Sequence, residues 1–176
     1  ESRGLGDVYK RQVQINNVTV DGATIIKFGR DGRRNDYGYG CGGIVGQTRK
    51  KTVFTNCKVI NTKISPNQDD NRRGNKEGGF VGESSGAEII IKNDTPMVSV
   101  ASTTFVYAKD LADKDSDHGG LIGWTSGKTT IENVIMEGTV YSGESGGGFI
   151  GYIENAEANI SDCIFNGKVA ASNYTG

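Results

Sequence analysis

Apolar residues in this chain come in short alternating runs, not in helical stripes. The segments Val13 to Val20, Val53 to Ile60, Glu88 to Ile91, Met97 to Tyr107, Thr129 to Met136 and Ala158 to Phe165 alternate polar with apolar residues or carry β-branched side chains, the pattern of half-buried strands. No segment sustains an i, i+3, i+4 stripe, which predicts few helices. A second pattern stands between the runs: Gly-Gly, two apolar residues and Gly, at 42–46, 78–82, 119–123 and 147–151. The blocks follow one another at 36, 41 and 28 residues, a spacing that belongs to stacked supersecondary units.

Each glycine block is followed ten or eleven residues later by an asparagine column, Asn56, Asn93, Asn133 and Asp162. Two places before it stands a large apolar residue, Phe54, Ile91, Ile131 or Ile160, and after it, in three copies, Cys57, Val134 or Cys163. Five after it come Asn61, Gly138 and Gly167, residue types that tolerate positive φ. The template predicts about three strands per copy, bending at the asparagine column. Stacked copies place Ile44, Phe80, Leu121 and Phe149 in one interior ladder and Phe54, Ile91, Ile131 and Ile160 in another. Val45, Val81, Ile122 and Ile150 are left open: alternation points them outward, either to solvent or under a covering segment. The expected fold is all-β, a parallel β-solenoid with a right-handed β-helix as its preferred form, of about four copies plus a leading half-copy.

That half-copy is Ile15, Asn17, Val18, Val20 and Gly22, which fit the template without a glycine block before them. The chain stops near where another block is due, so it reads as a piece of a longer array. Residues 2–12 resemble the in-frame translation of a transposon-based sequencing adapter. Residues 1–12 are therefore taken as a non-native segment and 13–176 as the repeat region.

Composition narrows the partners. Formal net charge is −1, and −2 without residues 1–12, which carry three basic and two acidic side chains. Such a balance argues against nucleic acid as a partner, and no apolar run has the length to cross a bilayer.

The four glycine blocks, each followed by an Ile/Val-x-Asn-Cys/Val block and a Gly-x-Val turn such as Gly138-Thr139-Val140 or Gly167-Lys168-Val169, resemble the GLUG repeat of large bacterial surface and secreted proteins. The resemblance covers nearly all of 13–176. It implies surface display or secretion, in company with adhesin-like β-helical chains and accessory regions of immunoglobulin A peptidases. Residues 94–112 depart from the pattern, with Asp94 and Pro96 at expected apolar positions, and an inserted hairpin is expected there.

Candidate chemistry is sparse. Cys57 and Cys163 share an inward column with Val18 and Val134 and read as buried small hydrophobes, too far apart for a bridge; Cys41 is an odd thiol. The run Asp113-Lys114-Asp115-Ser116-Asp117-His118 resembles the opening of a calcium loop. His118 and Trp124 stand where an EF-hand needs Gly and Glu, so the EF-hand is rejected. Asp113, Asp115 and Asp117 remain candidates for a looser surface calcium site, against a solvated acidic loop. His118 is the single histidine, so no His-rich zinc constellation lies within this chain. For catalysis, Asp69, Asp70, Arg72, Arg73 and the same three aspartates cluster in loops, which the need to keep charge out of a core explains equally well. No catalytic residue is assigned, and the segment itself is expected not to be an enzyme.

Binding has the better geometric case. The long connections Lys27 to Cys41, Ser65 to Glu77 and Asp110 to His118 all precede a glycine block and should emerge on one flank. Arg33, Arg34, Tyr37, Tyr39, Arg72 and Arg73 are the candidate ligand-binding residues, suited to glycan or protein contact. The expected function is an extracellular or cell-surface bacterial adhesin or stalk contacting host or environmental glycans or a matrix protein through flank loops. No cofactor is called for beyond the candidate surface calcium. The alternative is a non-catalytic accessory region of a large secreted peptidase or carbohydrate-active enzyme.

Overall fold

The structure is a computed structural model that describes residues 12–27, 40–66, 76–105, 116–171 and 174–176. Among these there is no helix, and the strands form four sheets. Sheet A runs β1 (Val13–Asn16), β6 (Thr52–Thr55), β11 (Ile89–Ala101), β15 (Thr129–Met136), β19 (Ala158–Ser161). Beyond a bend it is continued by β2 (Thr19–Asp21), β7 (Lys58–Ile60) and β20 (Ile164–Phe165). Sheet B holds β3 (Thr24–Lys27), β8 (Lys63–Pro66), β12 (Thr104–Phe105), β16 (Thr139–Ser142) and β21 (Lys168–Ala171). Sheet C holds β4 (Gly40–Gly42), β9 (Lys76–Gly78), β13 (Asp117–Gly119), β17 (Ser145–Gly147) and β22 (Tyr174–Thr175). Sheet D holds β5 (Val45–Thr48), β10 (Val81–Ser84), β14 (Ile122–Thr125) and β18 (Ile150–Ile153).

Pairing is parallel throughout, and each strand's neighbour is its counterpart in the next copy of the repeat. Ile15, Phe54, Ile91, Ile131 and Ile160 pair in that order across sheet A, the column expected from the sequence. The chain visits A, B, C and D in turn and returns to A beside the strand it left. A full copy thus contributes four or five short strands, more than the three expected.

The bends follow the asparagine column closely. Asn17, Asn56, Asn133 and Asp162 take φ of 56°, 53°, 56° and 51°, left-handed values to which Asn and Asp are the best suited residues after Gly. The column five residues on is only half what was expected. Asn61 and Gly22 have φ of 50° and 64°, whereas Gly138 and Gly167 are outside that region. Their small size answers to space instead: a Cβ on Gly138 would lie 3.0 Å from the Thr103 carbonyl oxygen, and one on Gly167 2.7 Å from Phe165 Cε2.

The third copy corrects the expectation of a hairpin as far as residue 105; residues 106–112 lie outside the described ones. Strand β11 continues through the anomaly, with Lys92 opposite Glu132 and Met97 opposite Val134. Residues 93–96 therefore bulge opposite Asn133 alone. Asn93 does not make the bend its column suggests. It is buried, its Nδ2 donating to Asn133 O at 2.8 Å and to Ser99 Oγ at 2.9 Å, and Asp94 takes the outer place, accepting from Asn56 Nδ2 at 2.7 Å.

The glycine blocks do something alternation alone does not reveal. The first glycine ends a strand of sheet C, the second sits in a tight corner, and the last lies in a strand of sheet D. Sheets C and D then pack face to face at backbone distance. A Cβ on Gly42 would lie 2.8 Å from Gly82 N, on Gly78 2.7 Å from Gly123 N, and on Gly123 2.5 Å from Glu77 N; any side chain there forces the sheets apart. The corner also resets the alternation, which settles the open column. Val81 and Ile122 are fully buried, in one cluster with Phe80, Leu121, Phe54, Ile91 and Ile131. Each such side chain contributes roughly 1.5–3 kcal/mol when buried. Phe54 and Phe80, from the two expected ladders, meet with ring centroids 5.4 Å apart. In the outer copies Ile44, Val45, Phe149 and Ile150 are only partly buried against this cluster.

Candidate functional site

The residue just before each glycine pair faces away from sheet D, because its neighbours in β4, β9 and β13 face toward it. In successive copies this residue is Cys41, Glu77, His118 and Gly146, paired in that order across sheet C. Cys41, Glu77 and His118 are all buried, the last two at 0 % exposure. His118 Nδ1 lies 2.6 Å from the Tyr141 carbonyl oxygen in sheet B, so Nδ1 carries a proton and donates there. That leaves Nε2 facing Glu77, with Oε2 at 3.8 Å. An acid and an imidazole thus sit side by side in a sealed interior, where desolvation is costly and their mutual attraction is least screened.

Sequence reasoning misses this column. By sequence His118 is the tail of an acidic surface run, Cys41 is an odd thiol, and Glu77 carries no signal of its own. The alignment on the glycine blocks does hold the clue: the position before the pair reads Cys, Glu, His, Gly. The three types are familiar metal ligands, yet no group of three or more His, Cys, Asp or Glu among the described residues is arranged to hold a metal ion.

A second cluster lies where sheet C begins. Lys76 Nζ stands 3.8 Å from the centroid of the Trp124 ring and 3.5 Å from Glu83 Oε1, and Ser85 Oγ donates to that same oxygen at 2.8 Å. Gln47, Glu83, Trp124 and Tyr152 form one column across sheet D. A cation over an indole face is worth about 0.5–2 kcal/mol, and it anchors the start of β9 to two strands of sheet D.

Of the residues singled out from sequence, Arg33, Arg34, Tyr37, Tyr39, Arg72, Arg73, Asp69, Asp70, Asp113 and Asp115 lie outside the described residues. Asp117 is described and is not in a loop: it opens β13, half-buried, in register with Lys76 and Ser145. Each long connection likewise ends in two residues of a sheet C strand. Those connections share one topological place, since 28–39, 67–75 and 106–116 each join a strand of sheet B to one of sheet C. Cys57 and Val134 are buried in the expected column, and none of the three cysteines is in a disulfide. At Cys163, half-exposed in the last copy, burial pushes the thiol pKa up, and the nearby Asp162 and Glu132 charges push the same way.

No protein-family model, curated protein or solved structure matches this chain.

Proposed function

We propose that this chain is a segment of a GLUG-type, parallel β-solenoid displayed on or secreted from a bacterial cell, acting as an adhesive stalk. The observation that carries the reading is the topology: copies of the repeat pair strand for strand along four parallel sheets, and every long connection falls between sheets B and C. A rigid repeating body with its variable loops at one junction is the arrangement by which repeat proteins gather weak contacts into useful avidity. The described chemistry favours contact over catalysis. The acid–imidazole pair is closed to solvent, whereas Lys76, the first described residue after the 67–75 connection, packs on Trp124, whose partner in sheet D, Tyr152, is 44 % exposed.

The ligand class that suits guanidinium and aromatic groups on such a flank is a glycan or an extended protein segment. The test is binding of the purified chain to arrayed glycans and matrix proteins, with Arg33, Arg34, Tyr37 and Tyr39 replaced together by Ala. Loss of binding with an unchanged β-sheet circular dichroism spectrum supports the reading. Undiminished binding removes the flank loops from it. A separate Trp124→Ala variant reports whether the described cluster takes part.

A further inference from the structure

Two ionisable side chains lie fully buried beside one another in the middle of the stack, with a layer on either side of them. Glu77 in β9 and His118 in β13 are paired, with β4 beyond Glu77 and β17 beyond His118, so their burial is independent of where the chain begins or ends. A glycine shows which way their column points. A Cβ on Gly146, the member after His118, would lie 3.1 Å from both Val169 Cγ1 and Ala171 Cβ in sheet B. The pair therefore looks onto the inner face of sheet B.

We infer that Glu77 and His118 form a buried carboxylate–imidazolium pair that works as a proton latch on the middle copies, tight in mildly acidic surroundings and looser at each step toward alkali. Both ring nitrogens face oxygen. Nδ1 lies 2.6 Å from the Tyr141 carbonyl oxygen, which can only accept, and Nε2 lies 3.8 Å from Glu77 Oε2. A neutral ring would aim a lone pair at one of these oxygens. A protonated Glu77 could answer that lone pair only through an O–H···N bond, and 3.8 Å is too long for one. Opposite charges, by contrast, still attract strongly at this distance away from water. The latch does not depend on the adhesive reading.

Among the described residues, the column's other ionisable member is Cys41, paired with Glu77 from β4. Sheet A closes on the neighbouring glycine corner with Val59, Val100 and Met136, and sheet B contributes Ile64 and Val140, so neither adds a charge there. Lys76 and Asp117, next in sequence to the pair, project from the opposite face of sheet C, where Lys76 meets Glu83 of sheet D. The unfolded chain holds the imidazolium proton only below about pH 6.5. Above that, the folded state carries one proton more than the unfolded one, so stability falls as pH rises. His118 is the single histidine, and no other side chain of this sequence has an ordinary pKa between about 6 and 8. A stability change in that range therefore reads the latch.

A single histidine also makes the test direct, because its ring signals in nitrogen NMR are unambiguous. At about pH 7.5, where roughly one in ten ordinary imidazoles is charged, both ring nitrogens of His118 should be protonated. In urea unfolding of the same protein the folding constant should fall as pH rises, approaching tenfold per unit between about pH 7 and 8. Glu77→Gln keeps the shape and removes the negative charge, so its ring should be neutral at the same pH and its stability level across the range. If that variant fails to fold, the two measurements on the unaltered chain decide by themselves. A neutral ring in the unaltered chain, or a folding constant that does not fall across that range, overturns the inference. So does a Glu77→Gln protein that keeps both the protonated ring and the slope, which would mean that the proton is held by something other than Glu77.

Discussion

The middle and the end copies of this repeat are built from the same columns and differ in almost nothing but neighbours. Ile131, with a strand on either side, is 0 % exposed, and Ile160, one layer further along the same column, is 46 % exposed. Cys57 is sealed and its column mate Cys163 is half-exposed. Apolar character at a position is therefore a bid for burial that only the next layer fulfils. Stability in such an array is a nearest-neighbour quantity, close to a sum of copies and the contacts between them.

The largest test of this difference uses glycine. Gly123 lies in a middle copy, where a Cβ would sit 2.5 Å from Glu77 N and 2.7 Å from Gly82 O. Gly123→Val forces sheets C and D apart, and a loss of more than about 4 kcal/mol is expected, read as failure to fold or a collapse of the urea midpoint. Gly22, in the first copy, has φ of 64°, and a Cβ added there would meet nothing within 4 Å. Gly22→Ala therefore carries only the cost of its left-handed backbone, about 1–2 kcal/mol. Equal costs at the two sites would refute the close packing of sheets C and D as the reason for glycine at 123. Next comes Ile131→Ala against Ile160→Ala. The middle site should lose about 2–5 kcal/mol and the end site under about 1 kcal/mol, because half its side chain is already in water.

Much of the middle was legible in the sequence. The asparagine column marked the bends because a left-handed φ restricts the residue types, and the Phe54 to Ile160 column set the sheet A register because bulk repeats where copies stack. Two things were not legible. Val81 and Ile122 look outward when strict alternation is carried across the glycine pair, where the chain turns a corner and changes sheet. The Cys41, Glu77, His118 column is hidden because its members differ in type, so no shared character marks it as interior. A repeat read only for sameness misses a position whose common property is its direction. The candidate ligand loops are a different matter: their sequences vary freely from copy to copy, and composition alone nominated Arg33, Arg34, Tyr37 and Tyr39.

The Glu77–His118 contact sharpens the comparison, since only the middle copies carry it. Removing one partner of a buried pair leaves the other desolvated, at a typical cost of about 3–5 kcal/mol. Glu77→Leu and His118→Leu should each destabilise by amounts of this order. The double variant should cost less than the sum by at least about 1 kcal/mol, measured by urea unfolding of all four proteins. Strict additivity would mean that the two side chains, 3.8 Å apart, are independent.

The smallest effect is chemical and belongs to the end copy. Burial first, then the charges of Asp162 and Glu132, raise the Cys163 thiol pKa above its usual value. The folded protein thus holds that proton where the unfolded chain has begun to release it. The resulting stabilisation is complete below the unfolded thiol's pKa and declines as pH climbs through the raised folded value. Alkylation of Cys163 in the native protein should accordingly lag behind a free thiol at mildly alkaline pH, climbing about tenfold per pH unit as thiolate appears. Cys57, at 1 % exposure, should instead react only when the stack opens, so its rate should follow denaturant.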